Sequence, residues 1–335
     1  MEYTKLGRSN ASVSKICLGT MHFGSNASEE ESFRIMDLAL ECGINFFDTA
    51  DIYGGSGGWG RSEEIIGNWL SQDAGRRDKV FLATKVYWYD QKAEAWPNVE
   101  VGISAYKVKK NVAASLKRLK TDHIDLYQVH HIDRAVAEQE FWSTFELLRA
   151  NGYIHYLGTS NFPGWGLATF QQAAIQRGLL GIVSEQHMYN LFCRYPELEV
   201  LPAARRYGIG VIAYMPLGGG LLTGNRSPEA GTRTASVSEE YGIDLKDNRQ
   251  LDEFSKLCKE IGEEERNVAI AWVLSNPAID AAIVGIRTIE QLKGVIRAAD
   301  ICLETEIIDR LNGIFDIGSS RALRNNEPTP EAYAW

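Results

Sequence analysis

From Ile16 to Ala299 the apolar positions of the 335-residue chain follow two alternating rhythms. Short runs rich in β-branched and aromatic residues predict strands at 16–20 (ICLGT), 45–48 (NFFD), 80–85 (VFLATK), 124–130 (IDLYQVH), 154–160 (IHYLGTS), 181–186 (GIVSEQ), 210–215 (GVIAYM) and 281–285 (AAIVG). Between them, apolar residues recur at helical spacing. Ser28 and Glu31 form an S-x-x-E capping box ahead of a helix that buries Phe33, Met36 and Leu40 and stops at Gly43. After Ser104, the stripe Val108, Val112, Leu116 and Leu119 repeats the pattern. Further helices are predicted at 61–70, 141–150, 164–177, 197–207, 250–261 or 267–275, and 288–299.

Eight strands, each followed by a helix, predict an α/β fold of the closed (β/α)8 TIM-barrel kind. No linker, low-complexity tract or break in composition divides the chain, so residues 1–335 are expected to form one domain. Three segments lie outside the repeat. The stretch YTKLGRSNASVSKI predicts a hairpin turning at Gly7 to Asn10 that plugs the barrel bottom. Asn225 to Arg249 is polar and poor in large apolar groups, which predicts a long mobile loop after the seventh strand. Phe315 to Trp335 is expected to fold over the mouth.

Composition narrows the function classes. With 44% hydrophobic and 24% charged residues the chain can bury a substantial core. A net charge of -9 supplies no global field for nucleic acid or anionic lipid, so an anionic ligand needs a local basic pocket. The start, MEYTKLGRSN, lacks an apolar signal region and no apolar run is long enough to span a bilayer, so a cytoplasmic protein is expected. Cys17, Cys42, Cys193, Cys258 and Cys302 are odd in number and widely spaced, which argues against disulfides and a zinc site; no metal is expected.

Gly55, Gly57 and Gly60 match G-x-G-x-x-G, but the fingerprint belongs at the end of a strand, with an acidic residue at the end of the next. Here the second strand ends near Asp48 and the third ends in Thr84 and Lys85, so GGSGGWG reads as a flexible surface loop.

The preceding DTADIY carries more chemistry. In a barrel, catalytic groups come from the C-terminal ends of different strands. Asp48, Lys85 and His130 end strands two, three and four, and Tyr53 follows strand two. A free phenol titrates near about 10, and a neighbouring ammonium lowers that value. Lys85 can supply the charge, Asp48 can orient Lys85, and His130 can hydrogen-bond a substrate oxygen, a set suited to interconverting carbonyl and alcohol.

FFDTADIYG, LATK, HIDLYQVH, YLGTSNF, YMPLGGGLLTG and VGIRTIEQL resemble, in order and over nearly the whole chain, the successive motifs of the aldo-keto reductases. The resemblance implies that Asp48, Tyr53, Lys85 and His130 are a catalytic tetrad and that a nicotinamide cofactor lies extended across the barrel mouth. It assigns Ser160, Asn161 and Gln186 to the carboxamide, Tyr214 to the nicotinamide ring, and Leu217, Gly219 and Leu221 to the pyrophosphate. Gly285, Arg287, Thr288 and Gln291 fall at its phosphate end, and Gly19, Thr20 and Met21, with Asp48, also fall to the cofactor. GIRT has no acidic residue for ribose hydroxyls, so NADPH is expected over NADH. Met215 and Gly219 stand where many relatives have Ser and Arg, and Gly294 and Val295 replace a Glu-Asn pair that contacts adenine, which implies modest cofactor affinity.

The resemblance implies an NADPH-dependent reductase of aldehydes, ketones or sugars with Tyr53 as general acid. QVHHIDRA and PLGGGLL are similar to nucleotide-sugar keto or 2,3-enoyl reductases of deoxysugar pathways. The alternatives are a nucleotide-sensing subunit resembling potassium-channel β subunits, although the added N-terminal segment of those subunits is not expected here, and an NADPH-binding barrel without turnover. His22, Trp88, His131 and Phe192 are candidate substrate liners, the partner is a small carbonyl or sugar molecule, and homo-oligomer formation stays open.

Overall fold

In the computed structural model, which describes residues 1–88 and 102–320, each predicted strand is present. After the hairpin strands β1 (Tyr3–Lys5) and β2 (Ser12–Ser14) come β3 (Ile16–Gly19), β4 (Phe46–Asp48), β5 (Phe81–Val86), β6 (Ile124–Val129), β7 (Ile154–Ser160), β8 (Ile182–Met188), β9 (Gly210–Tyr214) and β10 (Ile279–Gly285). Strands β3 to β10 pair in parallel and in chain order, and β10 closes the barrel on β3. The helices are α1 (Glu29–Glu41), α2 (Arg61–Leu70), α3 (Ala105–Leu119), α4 (Glu138–Ala150), α5 (Gly164–Gln176), α6 (Val200–Tyr207), α7 (Arg233–Tyr241), α8 (Arg249–Glu260), α9 (Glu265–Ser275), α10 (Ile289–Ile296) and α11 (Thr305–Ile314). Ser28 and Ser104 cap α1 and α3 by accepting from the amides of Glu31 and Lys107, which satisfies a donor each helix start would otherwise leave open.

Alternation along the strands sorts the apolar side chains into two bodies. Cys17, Phe46, Ala83, Leu126, Val183, Ile212 and Ala281 fill the barrel interior together with Leu6 and Val13 of the hairpin. The hairpin therefore plugs the bottom as expected. Its turn approaches so closely that a Cβ on Gly7 would stand 2.3 Å from the Val183 carbonyl oxygen, while the Gly7 amide donates to Asp280 Oδ2 at 2.7 Å. The larger cluster lies between the barrel and its helices and includes Ile35, Ile66, Trp69, Val112, Phe141 and Phe170.

Two expectations change and a third, the glycine loop, gains detail. Asn225 to Arg249 is not a bare loop, because it holds α7, which Thr232 caps and which buries Val237 and Tyr241. Both alternatives at 250–261 and 267–275 are helices, α8 and α9, and α11 follows. GGSGGWG is a tight turn: Gly55–Gly57 form a single 3-10 turn, and a Cβ on Gly54 would meet the Gly58 carbonyl at 2.1 Å. These glycines let the backbone fold onto itself, with the Gly57 and Gly58 amides donating to the Gly54 and Gly55 carbonyls. Of the segment expected over the mouth, 321–335 lies outside the described residues, and Phe315 is buried against Phe192 and Phe254.

Candidate active site

Strand register levels the rim. Gly19 pairs with Asp48, Lys85 with Gln128, Ser160 with Gln186 and Met188 with Tyr214, so their side chains gather at the C-terminal mouth. Lys85, with no exposed surface, donates to Asp48 Oδ1 at 2.5 Å, to the Thr49 carbonyl at 2.9 Å and to Tyr53 OH at 3.2 Å. All three ammonium donors are used. Asp48 Oδ2 accepts from Gln128 Nε2 and Gln186 Nε2, each at 2.9 Å, and Gln186 Nε2 also donates to Gln128 Oε1 at 3.1 Å. The Tyr53 and His130 rings lie 5.9 Å apart, nearly perpendicular.

A buried charge survives when it is paired and its remaining hydrogen-bonding capacity is met. Burial works against the Lys85 ammonium, but Asp48 and Tyr53 outweigh it and the net pKa moves up. Burial also raises the Tyr53 phenol; Lys85 pulls it down and Asp48 pushes it back up. The depressed phenol pKa expected from Lys85 is thus not the net result, and Tyr53 keeps its proton at neutral pH. Burial, with the Lys85 and His131 charges, holds His130 well below the usual imidazole range. Its Nδ1 is buried and has no hydrogen-bond partner among the described residues.

The next sector is equally knit. Asn161 sits at φ 57, a left-handed conformation that Asn tolerates better than most residues. Its amide donates to the His130 carbonyl and to Ser160 Oγ, both at 3.1 Å, and its Oδ1 accepts from Tyr214 OH at 2.9 Å. Thr20 Oγ1 bonds the Asp48 carbonyl at 3.0 Å and Ser62 Oγ at 2.8 Å, so Thr20 anchors the Asp48 backbone. Gly19 ends β3, where a Cβ would strike Ile283 at 2.7 Å, and Met21 stands exposed at the rim.

Arg287 and Arg233 lie across the mouth, both close enough to act on His22. Thr288 caps α10 by accepting from the Gln291 amide, and Gln291 Oε1 accepts from the Arg287 amide at 2.9 Å, which fixes the loop after Gly285. Among the described residues neither Arg287 nor Arg233 has a carboxylate partner; Arg233 reaches only Met215 Sδ, at 3.3 Å. Burial and then the charges of Arg287 and Arg233 lower the His22 pKa to about 4. Gly219, at φ 69, leaves room for α7, since a Cβ there would meet Val237 at 2.8 Å. The amide of Leu221 bonds Gly218 within the turn that also carries Leu217, and Val295 faces the core.

Of the substrate liners, Trp88 and His131 come together, with rings 6.0 Å apart and Tyr87 between them at 4.9 and 5.2 Å. His22 lies at the cationic side. Phe192 is 2% exposed, packs edge-on against Phe315 at 4.9 Å and lies beside the Gly218 turn. Sequence reasoning missed Gln128, Arg233 and Tyr87. The alternation of IDLYQVH, which turns every second residue toward the barrel lumen, was the signal for Gln128.

The aldo/keto reductase family model matches residues 15–316. The chain is 50% identical over 336 residues, covering both proteins fully, to a Bacillus subtilis protein described as the uncharacterised oxidoreductase YrpG. It is 30% identical to the versiconal hemiacetal acetate reductase of Aspergillus parasiticus, over 93% of this chain and 96% of that one. It is 28% identical to a probable voltage-gated potassium channel subunit beta of Arabidopsis thaliana, over 99% and 100%. With the closed parallel barrel, these similarities settle the class: the chain belongs to the aldo/keto reductase family of oxidoreductases.

Proposed function

We propose that the protein is an NADPH-dependent reductase of aldehyde, ketone or sugar carbonyls, with Tyr53 as the proton donor. The observation that carries this is the Lys85 ammonium fixed between Asp48 and a proton-bearing Tyr53 hydroxyl, beside a neutral His130. The donor set fits the cofactor: Ser160, Asn161 and Gln186 suit a carboxamide, the Tyr214 ring an apolar face, and the rim at Leu217 and Gly219 a pyrophosphate. Gly285, Arg287, Thr288 and Arg233 offer cation and amide groups to a phosphorylated ribose. When bound there, NADPH supplies the hydride.

The remaining chemistry belongs to side chains. His130, held neutral, can donate to the substrate oxygen through its N–H without adding charge. Tyr53 gives that oxygen its proton as negative charge develops. Lys85 stabilises the phenolate left behind, and Asp48 keeps Lys85 charged and aimed. Trp88, Tyr87 and His131 form an aromatic wall for the carbon skeleton. NADPH oxidation screened against aldehydes, keto sugars and nucleotide-linked sugars tests the reading; Tyr53→Phe should lower turnover by roughly 10²–10⁴-fold. Retained turnover in Tyr53→Phe would remove Tyr53 from its role.

The similarity to potassium channel β subunits supports a second reading, a nucleotide sensor. Very slow turnover with every carbonyl, alongside tight NADPH binding, would favour it. Among the described residues no helix is long and apolar enough to cross a membrane, and we place the reductase in the cytoplasm.

A further inference from the structure

At the barrel end opposite the tetrad, the first residues of β6 and β7 bring three metal-ligating side chains together. His123 directly precedes β6 and Asp125 lies two positions on within it, a spacing that in extended backbone turns both to the same side. The β6–β7 register pairs Ile124 with Ile154 and Leu126 with Tyr156, which sets His155 level with Asp125. One ligand atom from each lies within 4.8 Å of the other two. The two imidazoles stack with centroids 4.6 Å apart and planes at 29°.

The surroundings orient this set. Asp125 Oδ2 accepts from Arg77 at 2.7 Å and from the Leu82 amide at 2.9 Å, which turns Oδ1 toward the histidines. His123 Nδ1 lies 2.6 Å from Asp122 Oδ1. A carboxylate only accepts, so Nδ1 carries a proton, and in the neutral tautomer Nε2 is the ring's remaining ligand atom. His123 Nε2 stands 4.0 Å from Asp125 Oδ1, and His155 Nδ1 lies within hydrogen-bond distance of the same oxygen, at 3.3 Å. A cation among the three ligand atoms would take the place of the His155–Asp125 hydrogen bond and draw in His123 Nε2. Zinc bonds of ~2.0–2.1 Å place neighbouring tetrahedral ligands roughly 3.3 Å apart, which the His155–Asp125 separation of 3.3 Å matches and the His123–Asp125 separation of 4.0 Å exceeds. A carboxylate behind a ligating imidazole is the usual outer support of such a site.

We propose that His123, Asp125 and His155 form a surface site for a borderline divalent transition metal such as zinc, with solvent completing the coordination. The site clips β6 to β7 and, through Arg77 and Asp125, to the segment before β5. Because it lies at the far end of the barrel, it takes no part in hydride transfer.

The test uses the full chain, stripped with chelator and titrated with zinc chloride alone by calorimetry. The expected result is about one zinc per chain, with affinity falling at least roughly tenfold in His155→Ala and in the exposed outer variant Asp122→Asn. Cys302→Ser, a control for the exposed thiol, should bind as wild type, and zinc should raise the melting temperature of wild type but not of His155→Ala. Absence of binding at ~100 µM zinc, or binding unchanged in both His155→Ala and Asp122→Asn, would overturn the proposal.

Discussion

The two sides of the mouth are finished to different degrees. From β4 to β8, Asp48, Lys85, Tyr53, Gln128 and Gln186 bond one another and Asn161 bonds the His130 carbonyl, while among the described residues His130 Nδ1 has no partner. From β9 to β10, Arg287 and Arg233 have no carboxylate partner among the described residues, and burial, followed by their charges, holds His22 toward its neutral form. On the proposed reading the proton-transfer groups are built in advance, and the cationic side takes an anion from outside. Preorganised dipoles need not rearrange as the reaction proceeds, whereas un-neutralised cations give affinity for a phosphate. Rate should therefore respond to substitutions on the first side and affinity to those on the second.

The largest break in that comparison comes from Lys85→Met. It leaves Asp48 charged and buried without its cation, a change worth about 3–5 kcal/mol of stability, and should abolish turnover. Thermal unfolding with an activity assay checks both. Lys85→Met with Asp48→Asn should recover most of the stability but none of the turnover.

Arg287→Ala comes next. A charge-assisted contact is worth about 1.5–3 kcal/mol, so NADPH binding should weaken roughly tenfold to a hundredfold while NADH binding changes little. Fluorescence titration with both cofactors separates a 2′-phosphate contact from a general loss. Arg233→Ala, more exposed and on α7, should shift NADPH binding in the same direction by less.

Gln128→Met sharpens the rate side. It removes a donor to Asp48 and leaves Gln186 to hold Oδ2, at a cost of about 1–3 kcal/mol. kcat should fall with KM nearly unchanged, and Gln128→Glu should not rescue it, because a second carboxylate would face Asp48. A change confined to KM would place Gln128 outside the positioning of Asp48.

The smallest effect is on pH dependence. His22 has a folded-state pKa of about 4, below its ordinary value, so between about 6.5 and 4 the unfolded chain binds the extra proton and stability falls as pH falls. Partial exposure reduces this contribution to on the order of 1 kcal/mol. His22→Gln should flatten the acid side of a urea-stability profile across that window; an unchanged slope would show that His22 is not held neutral.

What the sequence made legible follows the strength of its local signals. All eight barrel strands are compact β-branched or aromatic runs, and Asp48, Lys85 and His130 could be placed because the fold puts strand ends at the mouth. α7 was hidden because Val237 and Tyr241 alone among its nine residues are buried, so its periodicity is faint. Arg233, carried by that helix, was hidden with it. Phe192 reads as a loop aromatic, and its burial depends on Phe315, more than a hundred positions away in the chain. His123, Asp125 and His155 escaped for a related reason: no motif joins residues thirty positions apart, and only strand register brings them level.

The most direct test of the division between the two sides is a double-mutant cycle on Tyr53→Phe and Arg287→Ala, with NADPH affinity and single-turnover rate measured in all four proteins. The account predicts that Tyr53→Phe lowers the rate with affinity intact, that Arg287→Ala lowers affinity with the saturated rate intact, and that the two effects add within about 0.3–0.5 kcal/mol. A Tyr53→Phe variant that loses NADPH binding, or an Arg287→Ala variant whose saturated rate collapses, would contradict it.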